Sequence, residues 1–147
     1  MSDELEIKIV RALNDNARKS FREIAKEIGT SAPVVISKVK KLEQSGAIKG
    51  YIPIVDPSYF GYDVIVVIAL RISHGKLIET QKNIAEDPHV CAVYDVTGEW
   101  DSIVIARFKN REDLNKFIKN LLTQKYVDRT VTQVVLNEVK DEKRFII

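Results

Sequence analysis

Apolar residues in the first third of the chain recur at helical spacing and predict three helices. In the first helix, Leu5 and Ile9 lie on one face, because residues four apart share a face of an α-helix. The second helix begins after Ser20, which forms a capping-box pattern with Glu23 three residues later. Gly29 ends it.

A third helix is predicted almost immediately after this glycine. Ser31 is a suitable N-cap, and Pro33 falls in the first turn, where a missing N–H is tolerated. Gly46 ends the helix. Its inward stripe is Val35, Val39 and Leu42. Two short helices joined by a turn that contains glycine are typical of a helix-turn-helix, whose second helix enters the DNA major groove.

The outward face of the third helix mixes small or apolar groups, which suit base edges, with cations, which suit phosphate. The amides that begin the second and third helices can also donate to phosphate. The predicted DNA-binding residues are Ser20, Ser31, Pro33, Val34, Ile36, Ser37, Lys38, Lys40 and Lys41. Lys40 and Lys41 are expected to bind phosphate, and Ser37 to influence base preference. The alternative is the solvated face of an ordinary three-helix bundle.

From residue 63 onward the pattern changes to alternating strands and helices. The order is βαββαβ, with segments at 63–72, 76–86, 89–96, 102–108, 111–122 and 130–139. This order is typical of a ferredoxin-like domain. The predicted fold is therefore α+β, with a three-helix, winged helix-turn-helix domain before a ferredoxin-like domain. The predicted boundaries are 1–47 for the first domain, 48–62 for an extended linker strand and 63–147 for the second domain.

The segment 63–72 is apolar at nearly every position, which predicts a strand buried on both faces. Two helices cover only one face of a four-stranded sheet, so a second copy of the chain is expected on the other. The sequence therefore predicts at least a dimer.

Composition supports a sheet-rich core, because Ile and Val together number 35 against 9 Leu. The net charge is +2, but residues 16–50 carry an excess of +5 and residues 61–147 are balanced.

No apolar run has membrane-spanning length and no secretion signal is visible, so a cytoplasmic protein is expected. The single cysteine, Cys91, excludes an internal disulfide and a cysteine-cluster metal site, and its apolar neighbours predict a buried thiol.

Several short motifs occur in one order through both domains. They are Asp15-Asn16-Ala17-Arg18, Glu23-Ile24-Ala25, the helix from Ser31 to Leu42, the run Gln44-Ser45-Gly46-Ala47-Ile48-Lys49-Gly50-Tyr51, Asp56-Pro57, Phe60-Gly61-Tyr62 and Val96-Thr97-Gly98-Glu99-Trp100-Asp101. With these motifs the chain resembles the Lrp/AsnC transcriptional regulators, the leucine-responsive and asparagine, or feast/famine, family. The third helix departs from the family at Lys38, where arginine is usual; lysine cannot make the bidentate fork to guanine, so a phosphate contact is expected.

The resemblance implies assembly into octamers or other multiples of dimers, with an amino acid bound in clefts between dimers. The implied effector residues are Thr97, Gly98, Glu99, Trp100 and Asp101 in the turn after the second strand, and Thr130, Thr132 and Gln133 at the start of the last strand. Gly98 lets a ligand approach the backbone, and Asp101 or Glu99 can pair with an α-ammonium group. Alternatively, Gly98 is a plain hairpin glycine and Trp100, which replaces the commoner tyrosine, is a packing residue.

The predicted function is a sequence-specific, DNA-binding transcriptional regulator modulated by a small molecule, namely an amino acid. The alternative is an effector-independent, nucleoid-type protein of low sequence specificity. No metal, no cofactor other than the effector and no membrane partner are expected. An enzyme is not predicted, because no nucleophile, base or metal-ligand set converges in the pattern. An RNA-binding module is disfavoured because the third strand, 102–108, has aliphatic central positions where stacking aromatics would stand.

Overall fold

The computed structural model describes residues 3–73, 75–144 and 146–147. The chain divides into two compact units, one comprising residues up to Ile54 together with Asp141–Ile147, and the other comprising Val55–Lys140. The sequence placed residues 141–147 with the second domain, whereas their contacts group them with the first unit. For example, Arg11 Nε donates to the carbonyl of Ile147 at 2.7 Å.

The first unit contains helices α1 (Glu4–Asp15), α2 (Phe21–Ile28) and α3 (Ala32–Gln44). Buried aliphatic side chains from all three helices form its core, namely Ile9, Leu13, Ile24, Val35 and Val39. A short turn joins α2 to α3 through Gly29, whose φ of +77° lies in the left-handed region that favours glycine. The predicted helix-turn-helix is therefore present.

The helix caps differ in part from the sequence prediction. Ser20 Oγ accepts from the Glu23 N–H at 3.1 Å, which is one half of the predicted capping box. Ser31 occupies the N-cap position of α3, but its side chain makes no capping hydrogen bond. A complete capping box forms instead at α1, between Asp3 and Glu6.

After α3 the chain turns at residues 45–46 and continues without a strand to residue 56. This stretch lies where the extended linker strand 48–62 was predicted, and a short 3₁₀-helix follows at Pro57–Phe60. Ile52 is 78% exposed and Ile54 is 67% exposed. Among the residues that the structure describes, the predicted linker strand 48–62 pairs with no other strand.

The second unit is a four-stranded antiparallel sheet with two helices. The elements are β1 (Val64–Ile72), α4 (Leu77–Ala85), β2 (Val90–Asp95), β3 (Ser102–Phe108), α5 (Arg111–Thr123) and β4 (Val127–Val134). The strands lie in the order β2-β3-β1-β4, and all three neighbouring pairs are antiparallel. This is the ferredoxin-like arrangement that the sequence predicts.

Both helices contribute to a core on one face of the sheet. That core contains Ile68 and Val104 from the central strands, Ile84 from α4, and Phe117 and Leu121 from α5. The opposite face carries Ile65, Val67, Ala69, Ile103 and Ile105, which are only half-buried. Within the second unit, β1 is thus not buried on both faces as predicted, because α4 and α5 both pack on the other face. We call this second face the open face.

Two details of the strands correct the sequence reading. Strand β4 begins at Val127, which pairs with Ile72 and is buried, and it ends at Val134 rather than 139. The thiol of Cys91 is exposed rather than buried. The register between β2 and β3 shifts between Val90 and Ala92, and this irregularity takes Cys91 out of the regular inward alternation.

Candidate DNA interface and effector site

Most of the predicted recognition residues project from α3 away from its buried stripe. Pro33, Val34, Ile36, Ser37 and Lys40 are all exposed, and Ile36 is an exposed aliphatic side chain among polar ones. The exposed face of α3 thus combines small, apolar and cationic side chains. Such a surface has the composition that major-groove contacts require.

Both serines predicted at helix starts are exposed, at the N-caps of α2 and α3. The free hydroxyl of Ser31 is not used for capping. The first amides of a helix have no intrahelical acceptor, so both helix starts can donate to a phosphate oxygen.

Two of the predicted recognition lysines are bonded to acidic residues of α1. Lys41 Nζ lies 3.0 Å from Glu6 Oε1, and Lys38 Nζ is hydrogen-bonded to Asp3 Oδ2. The hydrogen bond from Lys38 and the backbone bond from Glu6 lower the pKa of Asp3. Neither acid was predicted from the sequence, although the pattern Asp-x-x-Glu at a helix start indicates a capping box.

Another basic residue of the first unit is also neutralised locally. Lys19 Nζ lies 2.9 Å from Asp15 Oδ2 and 3.0 Å from Glu27 Oε2. These hydrogen bonds, led by that to Asp15, raise the pKa of Lys19. Its side chain is only 17% exposed. The local excess of +5 therefore overstates the positive charge that is free to meet DNA.

The turn between β2 and β3 is fixed against the end of β1. Asp101 Oδ2 accepts from the Ile72 N–H at 2.8 Å, and the Asp101 N–H donates to the Leu70 carbonyl at 2.9 Å. Arg71 Nε donates to the Glu99 carbonyl at 2.8 Å. The Asp101 carboxylate, which the sequence offered together with Glu99 as a partner for an α-ammonium group, therefore helps to hold the turn.

Two arginines that the sequence analysis did not select lie beside this turn. Arg71 on β1 is paired directly with Arg129 on β4, and the Arg129 guanidinium stacks 5.2 Å from the Trp100 ring centroid. Like charges directly opposite each other in a sheet are unfavourable, so an anion here would relieve their repulsion. No signal in the sequence pairs these arginines, because the pairing depends on strand register.

The three predicted effector residues on β4 do not share one surface. Thr130 pairs with Leu70 and Thr132 with Ile68, which places both on the helix-covered face. Gln133 pairs with Val67 on the open face. Successive strand residues point to opposite faces, so these three side chains cannot line one cleft of a single chain together.

The turn itself, residues 97–101, provides groups that suit a small charged ligand. Thr97, Gly98 and Glu99 are exposed, and Trp100 is half-buried beneath Arg129. Gly98 has a φ of +108°, a backbone conformation that residues with a Cβ rarely adopt.

Two shallow depressions lie away from the predicted effector residues. One, of about 360 Å³, borders α1 and α2 at Lys8, Arg11 and Glu27. The other, of about 300 Å³, borders α4 at Thr80 and the segment before β4 at Tyr126.

Over residues 3–73, 75–144 and 146–147, no cluster of His, Cys, Asp or Glu could hold a metal ion. No helix in that same part of the chain is long and apolar enough to cross a membrane.

The fold defines a class of protein with a helix-turn-helix domain followed by a separate ferredoxin-like domain. A family model of winged helix-turn-helix DNA-binding domains matches residues 2–49, and a model of the Lrp/AsnC ligand binding domain matches residues 65–145. The chain belongs to the Lrp/AsnC family of transcriptional regulators, which are not enzymes.

Individual relatives extend this likeness over both domains. An HTH-type transcriptional regulator of Pyrococcus abyssi is 44% identical over 144 residues, covering 98% of each chain. The solved structure of Escherichia coli AsnC superposes with a TM-score of 0.90 at 26% identity, covering 98% of each chain. The complex of a Neisseria meningitidis transcriptional regulator with L-Met has a TM-score of 0.89 at 23% identity, covering 99% of this chain and 97% of that one.

Replacement of Asp101 by alanine should destabilise the second unit. The change removes the charged acceptor of the Ile72 N–H, and hydrogen bonds to charged groups contribute about 1.5–3 kcal/mol. We expect the free energy of unfolding to fall by about 1–3 kcal/mol. Urea denaturation followed by far-UV circular dichroism, at one fixed protein concentration, measures it.

Glu99→Ala is the matched control in the same turn. Glu99 contributes only its backbone carbonyl to the bond with Arg71, so this variant should change stability by no more than about 0.5 kcal/mol. Equal losses for both variants would contradict the assigned role of the Asp101 carboxylate.

Proposed function

We propose that this regulator binds a specific double-stranded DNA sequence through α3, as a dimer or a multiple of dimers, and that an amino acid modulates its binding or assembly. The observation that carries the DNA part is the outward face of α3. It presents Ser37 and the exposed aliphatic Val34 and Ile36 beside the exposed Lys40. Hydroxyl and aliphatic groups are suited to base edges and thymine methyls, whereas lysine alone would favour any DNA.

A dimer is supported by the open face of the sheet. Val67 and Ile105 lie at its centre as direct cross-strand partners, and Tyr94 and Val131 extend it over the outer strands. A contiguous apolar surface of this kind favours burial against a partner. A second copy is the simplest partner, because a two-fold contact matches the same patch to itself.

An amino-acid effector is supported by the charges beside the turn. Arg71 and Arg129 are direct cross-strand partners, and guanidinium groups suit an α-carboxylate. The exposed carboxylate of Glu99 suits an α-ammonium group. Gly98 leaves the backbone accessible to a ligand. The Neisseria regulator of similar fold, in complex with L-Met, agrees with this class of ligand.

A second candidate function is a nucleoid-type protein that binds DNA with little sequence preference. The N-terminal amides of α2 and α3 favour it, because phosphate contacts of this kind carry no sequence information. The two functions differ in the ratio of specific to non-specific affinity at one salt concentration.

Selection of binding sites from random double-stranded DNA tests the regulator directly. We expect an enriched motif with two-fold symmetry, because a symmetric dimer reads two half-sites. Ser37→Ala should change the preferred bases within that motif, whereas Ser58→Ala, outside the helix-turn-helix, should leave them unchanged. The absence of any enriched motif would favour the nucleoid-type function.

Light scattering at micromolar concentration tests the assembly. The chain has a mass of 16.7 kDa, and we expect at least twice that value. Ile105→Lys places a charge at the centre of the open face and should reduce the mass to that of one chain. Asn115→Lys, on the exposed side of α5, adds the same charge and should not. A monomeric wild-type protein would refute the dimer.

Thermal-shift measurements against the common amino acids test the effector. A ligand at ~100 times its Kd stabilises the folded protein by ~2.7 kcal/mol, so a hit is readily visible. The shift should disappear in Arg129→Gln and persist in Lys119→Gln, which removes an exposed charge from α5. Asp101→Ala is unsuitable as the site variant because it also weakens the turn. No shift with any amino acid would contradict this part of the proposal.

A further inference from the structure

Four charged residues form a cluster between the start of α1 and one flank of α3. Glu6 Oε1 lies 3.0 Å from Lys41 Nζ and 3.9 Å from Lys38 Nζ, and Asp3 accepts a hydrogen bond from Lys38. The two acids are also bonded to each other's backbone amides, at 2.7 and 3.2 Å. We call these four residues, Asp3, Glu6, Lys38 and Lys41, the α1–α3 ionic cluster.

The carboxylate of Glu6 is the buried centre of this cluster. Its side chain is 5% exposed, whereas that of Lys41 is 68% exposed. The hydrogen bond from Lys41, followed by that from the Asp3 amide, lowers the pKa of Glu6, so the carboxylate stays ionised at neutral pH. A buried carboxylate without a cation is strongly disfavoured, which keeps the Lys41 ammonium group bound to it.

The position of each lysine on α3 decides its partner. Ser37 projects opposite the buried stripe formed by Val35 and Val39, since successive residues are about 100° apart around a helix. Lys40 and Lys41 lie on either side of Ser37. Of these two lysines, Lys41 is on the side that meets α1. Lys40 has no ion-pair partner in the part of the chain that the structure describes.

We propose that Asp3 and Glu6 are positioning residues that hold the recognition helix through Lys38 and Lys41 and withhold the charge of both lysines from DNA. Lys40 is then the main phosphate-binding lysine of α3. The inference rests on the proposed DNA-binding function. It changes the expectation from sequence, which assigned Lys38, Lys40 and Lys41 the same role.

Salt dependence of DNA affinity separates the two kinds of lysine. The logarithm of the binding constant falls with the logarithm of salt concentration by about 0.9 for each phosphate that the protein neutralises. Lys40→Ala should flatten this slope by about 0.9 per chain bound. Lys41→Ala should flatten it by less than half as much, because that ammonium group is already paired.

Removing the negative charge of Glu6 should have the opposite effect on the salt dependence of DNA affinity. Glu6→Gln keeps the side-chain shape and removes the charge, so Lys41 becomes available and the slope should steepen by about 0.9 per chain. The double variant Glu6→Gln, Lys41→Ala should return to the slope of Lys41→Ala alone. A carboxylate that served only stability would lower the melting temperature and leave the slope unchanged.

The measurement uses the full chain and one DNA duplex of fixed sequence, with circular dichroism to check that each variant is folded. If Glu6→Gln does not fold, Asp3→Asn releases Lys38 instead and should steepen the slope in the same direction. Equal flattening by Lys40→Ala and Lys41→Ala, with no steepening in either acid variant, would overturn the inference. Absence of salt-dependent binding by the unaltered protein would instead refute the proposed function.

Discussion

Two helices can cover only one face of a four-stranded sheet, and the organisation of the second unit depends on that limit. Helices α4 and α5 bury the face that carries Ile68 and Val104, while Val67 and Ile105 remain on the open face. Antiparallel sheets with one solvated face normally carry polar residues there. The aliphatic residues of the open face therefore favour a second copy, and a dimer would present two recognition helices to one DNA molecule.

In the first unit, the positive charge available to a partner is limited by ion pairs between lysines and neighbouring carboxylates. Lys19, Lys38 and Lys41 contribute to the positive excess of residues 16–50, yet each is bonded to a carboxylate. Local charge thus indicates the class of partner, whereas the pairing of individual side chains decides which of them are free to bind it. For α3, that distinction separates Lys40 from Lys41, adjacent residues of the same type.

The sequence predicted the helices and strands well because their patterns are local. The third strand has the predicted bounds, Ser102–Phe108, and apolar spacing located α5 to within one residue. The exposure of Cys91 depends on a shift of register, and the pairing of Arg71 with Arg129 depends on how two distant strands align. Neither leaves a local signal. The ionic cluster of α1 and α3 was missed for the same reason, since its partners are 35 residues apart.

The turn between β2 and β3, where we propose the effector binds, is held rigidly against β1. Asp101 fixes the turn to β1 through the Ile72 amide, so the backbone around Gly98 has a defined position before any ligand arrives, and less ordering entropy is lost on binding. The guanidinium groups of Arg71 and Arg129 lie at the edge of the open face. A carboxylate bound there reduces the repulsion between two charges beside the proposed interface. If its affinity differs between the free and the assembled chain, the ligand must shift the assembly equilibrium by that difference. In the proposed function, the same sheet would therefore couple effector binding to assembly.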